Sequence, residues 1–242
     1  VAVALIVAAG RGERLGFHRP KALVPLRGRP MLAYSVEALV AVEAVTRIVV
    51  ALPAGELDAA PPGVIAVAGG TQRSHSVLAA LAAAGDGDPV IVHDAARPLA
   101  QAALFAEALA ALASAPEADA VITASPVTDT IKELGDDGRT VARTLERSRL
   151  WSVQTPQVFR RAALERVLHA DNAARLARAT DDAWLIEQAG GVVHVLAADP
   201  GNLKVTTPHD LRVAELLLAE REAAARAGDE TDVQAQVQLG PS

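Results

Sequence analysis

The residues of this chain best suited to chemistry are glycines, arginines and lysines placed where anions would meet them. The earliest cluster is Ala8-Ala9-Gly10-Arg11-Gly12-Glu13-Arg14-Leu15, followed by Pro20-Lys21. Glycines directly after an apolar run let the backbone turn its N–H groups toward an anion, the arrangement that cradles phosphates. A dinucleotide fingerprint needs a third glycine where Leu15 stands, and the Gly-Lys-Ser/Thr of a Walker loop never occurs. What remains is a phosphate-type loop followed by two cations, Arg14 and Lys21, within reach of a triphosphate. Of the 23 lysines and arginines only Lys21, Lys132 and Lys204 are lysine. A compact ammonium suits a point contact with phosphate better than a planar guanidinium does. Solvated surface positions account for the same three residues equally well on this ground alone.

A second cluster, His93-Asp94-Ala95-Ala96-Arg97-Pro98, ends the apolar run PVIVH. Ligands of open α/β sheets bind beyond the carboxyl ends of strands, so an acid and an arginine are well placed there. Asp94 suits Mg²⁺, which takes one or two carboxylates plus substrate phosphates. The other reading makes Asp94 a turn cap paired with Arg97, and His93 reads as a packed neighbour rather than a ligand. The third cluster is Gly69-Gly70-Thr71-Gln72-Arg73-Ser74-His75-Ser76-Val77. Its glycines allow close approach of a base or ribose, with Ser76 as donor and acceptor, although a plain helix N-terminus fits as well. Thr130, Arg147, Thr155-Pro156-Gln157, Thr180-Asp181-Asp182 and Asn202 to Thr206 are individually uninformative, and Asp181 reads equally as a helix cap or a metal ligand. Neither G-x-S-x-G nor H-E-x-x-H occurs, so hydrolytic and zinc chemistry lack support.

Positioning these clusters requires a regular frame. Val1 to Ala9, Arg47 to Pro53, Val64 to Ala68, Pro89 to His93, Ala120 to Ala124 and Val192 to Leu196 read as short buried strands. Between them, helical periodicity marks Met31 to Val42, Ser76 to Ala84, Gln101 to Ala113, Arg161 to His169 and the region around Asp181 to Gln188. Strand alternating with helix implies a parallel sheet covered on both faces. Residues 128–147 break this rhythm with a polar stretch around Gly135 and Asp136-Asp137-Gly138, the pattern of a hairpin arm. A last helix is expected from Pro208 to about Ala227. Residues 228–242 show no apolar stripe and are expected to form a flexible tail.

The composition agrees with one sizeable domain. The 242 residues are 51% hydrophobic but only 2% aromatic, so the core must be built from Ala, Val, Leu and Ile. The absence of cysteine excludes disulfides, zinc-thiolate sites, iron–sulfur clusters and a Cys nucleophile. A net charge of -6 argues against a nucleic-acid or anionic-membrane binder. The opening apolar run is too short to span a bilayer and lacks a basic leader, so a cytoplasmic protein without membrane attachment is expected.

In order, AAGRGERL, PK, GGTQRSHSV, HDAARP, DTIK, ERSRLW, TPQ, TDDA and NLKVTTPHDL resemble the 2-C-methyl-D-erythritol 4-phosphate cytidylyltransferases, over residues 1 to about 220. The resemblance implies a Rossmann-like α/β domain of the nucleotidyltransferase type over residues 1–227, with a mostly parallel sheet, helices on both faces and an extended β-arm for dimerisation. It also implies a reaction, in which the 4-phosphate of methylerythritol phosphate attacks the α-phosphorus of CTP and pyrophosphate leaves. By the same resemblance Ala8, Ala9, Gly10, Gly12 and Lys21 hold the nucleotide, with Gly70, Ser76 and Ala95 at the cytidine. Arg14, Lys21, Arg147 and Lys204 are then catalytic and Asp94 holds Mg²⁺. Arg97, Thr130, Arg147, Thr155 and Lys204 bind the acceptor, with Thr130 and Arg147 reaching into a neighbouring subunit of a homodimer. Thr71 departs from members that carry an acid there, and the segment after Gly228 is too short for the cyclase domain fused to some members. A cytidylyltransferase acting on another polyol phosphate, such as ribitol 5-phosphate, is the alternative. An oxidoreductase is disfavoured by Leu15, and a non-catalytic nucleotide sensor would not need both Lys21 and Lys204.

Overall fold

The computed structural model describes residues 1–17, 19–169 and 173–238, with backbone alone for 173–174 and 227–238. The first apolar run forms β1 (Ala2–Val7), and a two-residue ladder of β2 (Pro25–Leu26) and β3 (Arg29–Pro30) leads into α1 (Met31–Val40). There follow β4 (Val45–Leu52), β5 (Ile65–Ala68), α2 (Arg73–Ala83), β6 (Val90–Asp94), α3 (Ala102–Ala113) and β7 (Ala120–Pro126). The arm consists of β8 (Lys132–Leu134) and β9 (Val141–Thr144). The chain then returns as β10 (Trp151–Phe159), α4 (Arg161–His169), α5 (Ala173–Arg178), α6 (Asp182–Gln188), β11 (Val193–Ala197) and α7 (Pro208–Gln238).

Among the described residues one seven-stranded sheet runs in the order β11-β7-β10-β6-β1-β4-β5. All neighbours are parallel except β10, which lies antiparallel between β6 and β7. Side chains of β1 alternate between two cores. Val3 and Leu5 join Val77, Leu81, Leu164 and Ile186 of α2, α4 and α6. Ala4 and Ile6 join Leu32, Leu39, Phe105 and Leu112 of α1 and α3 on the other face. A central strand covered on both sides must be apolar at every position, which is why Ala2 to Ile6 read as one unbroken run. A third cluster ties Leu218 and Ala214 of α7 to Leu15, Leu26 and Met31.

Besides the short β2, β3 and α5, which the sequence reading did not mark, two elements differ from it. Strand β10 was not anticipated, because Pro156 and the polar Gln154 and Gln157 contradict a central-strand pattern; its register with β7 is irregular between Val153 and Gln157. Helix α7 also continues to Gln238, beyond the boundary expected near Ala227. Residues 229–238 contain three glutamines, three acids and one alanine but neither proline nor glycine, so nothing within them ends the helix where the apolar stripe does. The last four positions of the expected tail, 239–242, lie outside the described residues.

The order of connections makes the ends of β1 and β6 special. From β1 the chain proceeds through α1 to β4 and then β5, but from β5 it crosses back through α2 to β6 on the opposite side of β1. The two connections diverge at this switch point and leave a crevice at the carboxyl ends, where open sheets of this kind bind ligands.

Candidate active site

The crevice is lined by the sequence-predicted residues. Leaving β1, the backbone of Ala8, Ala9 and Gly10 forms one wall of a cleft of about 230 Å³. Gly70, Gln72, Arg73 and Ser76 form a second wall, Asp94 and Ala95 the floor, and Lys21 and Lys204 project from further loops. Gly12 lies behind rather than in the cleft. Its φ of 73° is left-handed, and a Cβ there would stand 3.1 Å from both Cα and Cβ of Lys21, so glycine is what lets the loop fold against Lys21. The Lys21 N–H in turn donates to Gly10 O at 3.0 Å, fixing the base of the lysine to the turn.

Gly69 is the point of closest approach between the two glycine loops. A Cβ on it would lie 2.5 Å from Ala9 Cβ and 2.9 Å from Ser76 Oγ. Ser76 Oγ accepts from Gly70 N at 3.1 Å and donates to Gln72 O at 3.3 Å, so it braces the turn. The N-cap residue of α2, Gln72, makes no side-chain cap bond, and the open end of the helix faces the cleft with free N–H groups suited to an anion.

A second cleft, of about 260 Å³, adjoins the first and is lined by Arg97, Gln154, Thr155, Gln157, Thr180 and Asp181. Arg73, Asp94 and Lys204 line both. Asp94 is the hub of this shared wall. Its Oδ1 accepts from Arg73 Nε at 3.2 Å, its Oδ2 from Lys204 Nζ at 2.5 Å, and its N–H donates to Thr155 Oγ1 at 3.0 Å. Burial opposes its charge, yet Arg73 and Lys204 outweigh that and hold the carboxyl well below the usual carboxylate range. Arg73 also pairs through Nη1 with Asp182, which is fully inside the protein. Burial lowers the Lys21 ammonium to about 8, with Lys204 and Arg14 adding to the effect and Asp94 opposing it. Burial likewise keeps His93 neutral by lowering it to about 4; its Nδ1 lies 3.0 Å from Thr155 Oγ1 and its ring packs edge-on to Phe105.

Several sequence alternatives are resolved by these contacts. Arg97 is not the partner of Asp94. Its guanidinium donates to Asn202 O at 2.7 Å and Val153 O at 3.1 Å, fastening the Lys204 loop to β10. The Asn202 amide donates to Gln154 Oε1 at 2.8 Å and Thr155 O at 2.9 Å, a second tie in the same place. Asp181 is the N-cap of α6, accepting from Trp184 N at 2.8 Å. Lys132 is an exposed lysine on the arm, donating to Thr144 Oγ1 at 2.7 Å. Arg14 is exposed beside the cleft and lines neither pocket. Thr130 and Arg147 are exposed at the foot of the arm and also line neither; Arg147 Nη1 donates to Thr128 O at 2.6 Å. Arg73 and Asp182 went unassigned because their pairing joins positions 109 residues apart.

Among the described residues no group of three or more His, Asp or Glu is arranged to hold a metal ion. Asp94 alone still suits a cation whose remaining ligands come from substrate phosphates, since it is ionised, faces both clefts and keeps a second lone pair on each oxygen.

Comparison with known proteins agrees with this geometry. Residues 2–220 match the family model for 2-C-methyl-D-erythritol 4-phosphate cytidylyltransferase. A protein of that name from Nocardia farcinica is 44% identical over 227 residues, covering 91% of this chain and 95% of its own length. Among solved structures, 4-diphosphocytidyl-2C-methyl-D-erythritol synthase from Anaerococcus prevotii superposes with a TM-score of 0.76 at 28% identity, covering 90% of this chain and 98% of that one. The 2-C-methyl-D-erythritol 4-phosphate cytidylyltransferase of Thermus thermophilus gives 0.72 at 32% identity over the same shares.

Proposed function

The chain belongs to the 2-C-methyl-D-erythritol 4-phosphate cytidylyltransferase family, and from that premise we propose how its residues divide the work. The activity is transfer of CMP from CTP to 2-C-methyl-D-erythritol 4-phosphate, giving 4-diphosphocytidyl-2-C-methyl-D-erythritol and pyrophosphate in isoprenoid precursor synthesis. CTP occupies the cleft of the glycine loops, with its phosphates against Ala8, Ala9 and Gly10 and its cytidine against Gly70, Ser76 and Ala95. The acceptor occupies the adjoining cleft beside Arg97 and Thr155. The observation that carries this assignment is the shared wall: two clefts meet at Arg73, Asp94 and Lys204, so two bound phosphates would meet there too.

No protein nucleophile is needed, because the acceptor phosphate is itself an anion able to attack the α-phosphorus in line. The protein's task is to hold two polyanions together and neutralise the charge that builds on the α-phosphate and the departing pyrophosphate. Lys21 and Arg14 serve the leaving side and Lys204 the attacking side. Phosphates bound beside Lys21 would favour its charged form and oppose the lowering caused by burial and the neighbouring cations. A divalent ion, Mg²⁺ in this reading, would be held by Asp94 and would supply further neutralisation between the phosphates.

Thr130 and Arg147 complete the acceptor site of a second copy. Support comes from their exposure, their absence from the lining of both clefts of their own chain, and the exposed apolar residues Leu134, Val141 and Trp151 on the arm and at the start of the strand it enters. A two-fold pair of arms would bury those residues reciprocally. No helix among the described residues is long and apolar enough to cross a membrane. We assign the enzyme to the cytoplasm, where CTP is available, without a nucleic-acid partner.

The test is pyrophosphate release from CTP and Mg²⁺ with either acceptor. Release with methylerythritol phosphate is expected. Release with ribitol 5-phosphate alone would transfer the assignment to that acceptor.

A further inference from the structure

Asp182 lines neither cleft, yet it is one of the most deeply buried carboxylates of the chain, at 1% exposure. Its partner is Arg73 Nη1, while Arg73 Nε reaches Asp94 Oδ1 and Arg73 Nη2 is buried without a partner. A guanidinium beside a carboxylate ordinarily engages both oxygens with two parallel N–H donors. Here it engages only one, and the other oxygen of Asp94 accepts from Lys204 at 2.5 Å. We infer that Asp182 is a positioning residue, which splits the Arg73 fork between two acids so that Asp94 keeps an oxygen for Lys204 at the wall shared by the clefts.

The inference rests on the role given above to Asp94 and Lys204. Without the charge on Asp182, Arg73 has two donors to satisfy and one remaining acid, so it closes on Asp94 as a bidentate pair. Lys204 then loses its anchor and the attacking side of the site loses a fixed cation. The pair Arg73 and Asp182 also joins the start of α2 to the start of α6, so the arrangement couples both helices to the end of β6.

The chain's three lysines make the test direct. Lysine labelled with ¹³C at Cε gives three signals, of which that of Lys204 is identified by its loss in Lys204→Arg. In Asp182→Asn the Lys204 signal is expected to move toward that of a free lysine, with kcat falling about 10–100-fold, the usual scale for groups that orient a site through another residue. Adding Arg73→Lys to Asp182→Asn removes the fork while keeping the charge. The double variant is expected to return the Lys204 signal and recover activity relative to Asp182→Asn. An unmoved signal in folded Asp182→Asn, or a double variant worse than the single, overturns the inference. Arg73→Lys alone leaves the signal in place if the inference holds, and a displaced signal there overturns it even when Asp182→Asn does not fold. The lysine signals decide this inference, whereas wild-type turnover by Lys204→Ala would sink the functional reading beneath it, so the two fail separately.

Discussion

The clefts at the end of the sheet and the arm of β8 and β9 carry polar residues in opposite circumstances. At the wall shared by the clefts the charges are answered within their own chain: Asp94 by Arg73 and Lys204, Arg73 by Asp182, and beside them Arg97 by two backbone carbonyls. On the arm every residue of β8 and β9 is exposed, and the turn is held by Asp137, which accepts from Arg139 N at 2.9 Å and Thr140 N at 2.8 Å. The arm therefore folds by local contacts and its strands line neither cleft of their own chain, whereas the clefts have their charged groups in place. Substitutions in the first region should cost rate in any assembly state, and under the proposed two-fold assembly substitutions in the second should cost it only through a neighbour.

The largest effect is expected from Lys21→Ala, a loss of at least about a hundredfold in kcat, the scale for removing one charge-stabilising donor. Near-normal turnover would show that the clefts are not where the reaction occurs. Arg147→Ala should raise the acceptor KM by about 10–100-fold, as for lost hydrogen bonds to a charged group, while calorimetry finds CTP affinity little changed. The reverse pattern would place Arg147 with the nucleotide. Mixing these two variants and assaying at acceptor concentrations well below the raised KM sharpens the contrast: a two-fold dimer formed at random leaves one intact site in half the molecules, so activity should recover to about a quarter of wild type. No recovery means that Arg147 serves its own chain.

A milder prediction concerns pH. Lys21 binds phosphate as the ammonium, and its value of about 8 in the free protein means that the charged fraction is full below that pH and falls above it. CTP affinity should weaken by up to about tenfold per unit above pH 8, one pKa unit corresponding to tenfold in the charged fraction. Lys21→Arg should flatten that limb, and an unchanged limb would assign it to another group. The smallest effect is that of Gly12→Ala, where a left-handed backbone costs about 1–2 kcal/mol and the new methyl presses on Lys21. A lower melting temperature together with reduced kcat is expected.

Legibility from sequence followed the same division between local and distant signals. β1, β4 and β6 were readable because burial on both faces demands unbroken apolar runs, and α4 because its apolar positions recur with helical spacing. The glycine loops were readable because φ at Gly12 and crowding at Gly69 leave no other residue. Strand β10 was not, since Pro156, Gln154 and Gln157 are kept there by contacts with Thr123, Asn202 and Asp181 that come from elsewhere in the chain. Arg73 with Asp182 was hidden for the same reason: neither neighbourhood announces a partner more than a hundred residues away. Arg97 was found by its position, but its bonds to the carbonyls of Asn202 and Val153 were not legible, because they join segments far apart in the chain.

The placing of β10 has one more consequence, for what length changes the chain can accept. Trp151, exposed where the arm rejoins the body, and Thr155, buried against Asp94, are separated by four positions of extended chain, roughly 13 Å. A residue inserted at the tip of the arm only lengthens a solvent-facing loop. One inserted between these two would turn every following side chain of the strand to the opposite face. Natural variation in size should therefore gather at residues 135–140 and stop short of the span from 151 to 155.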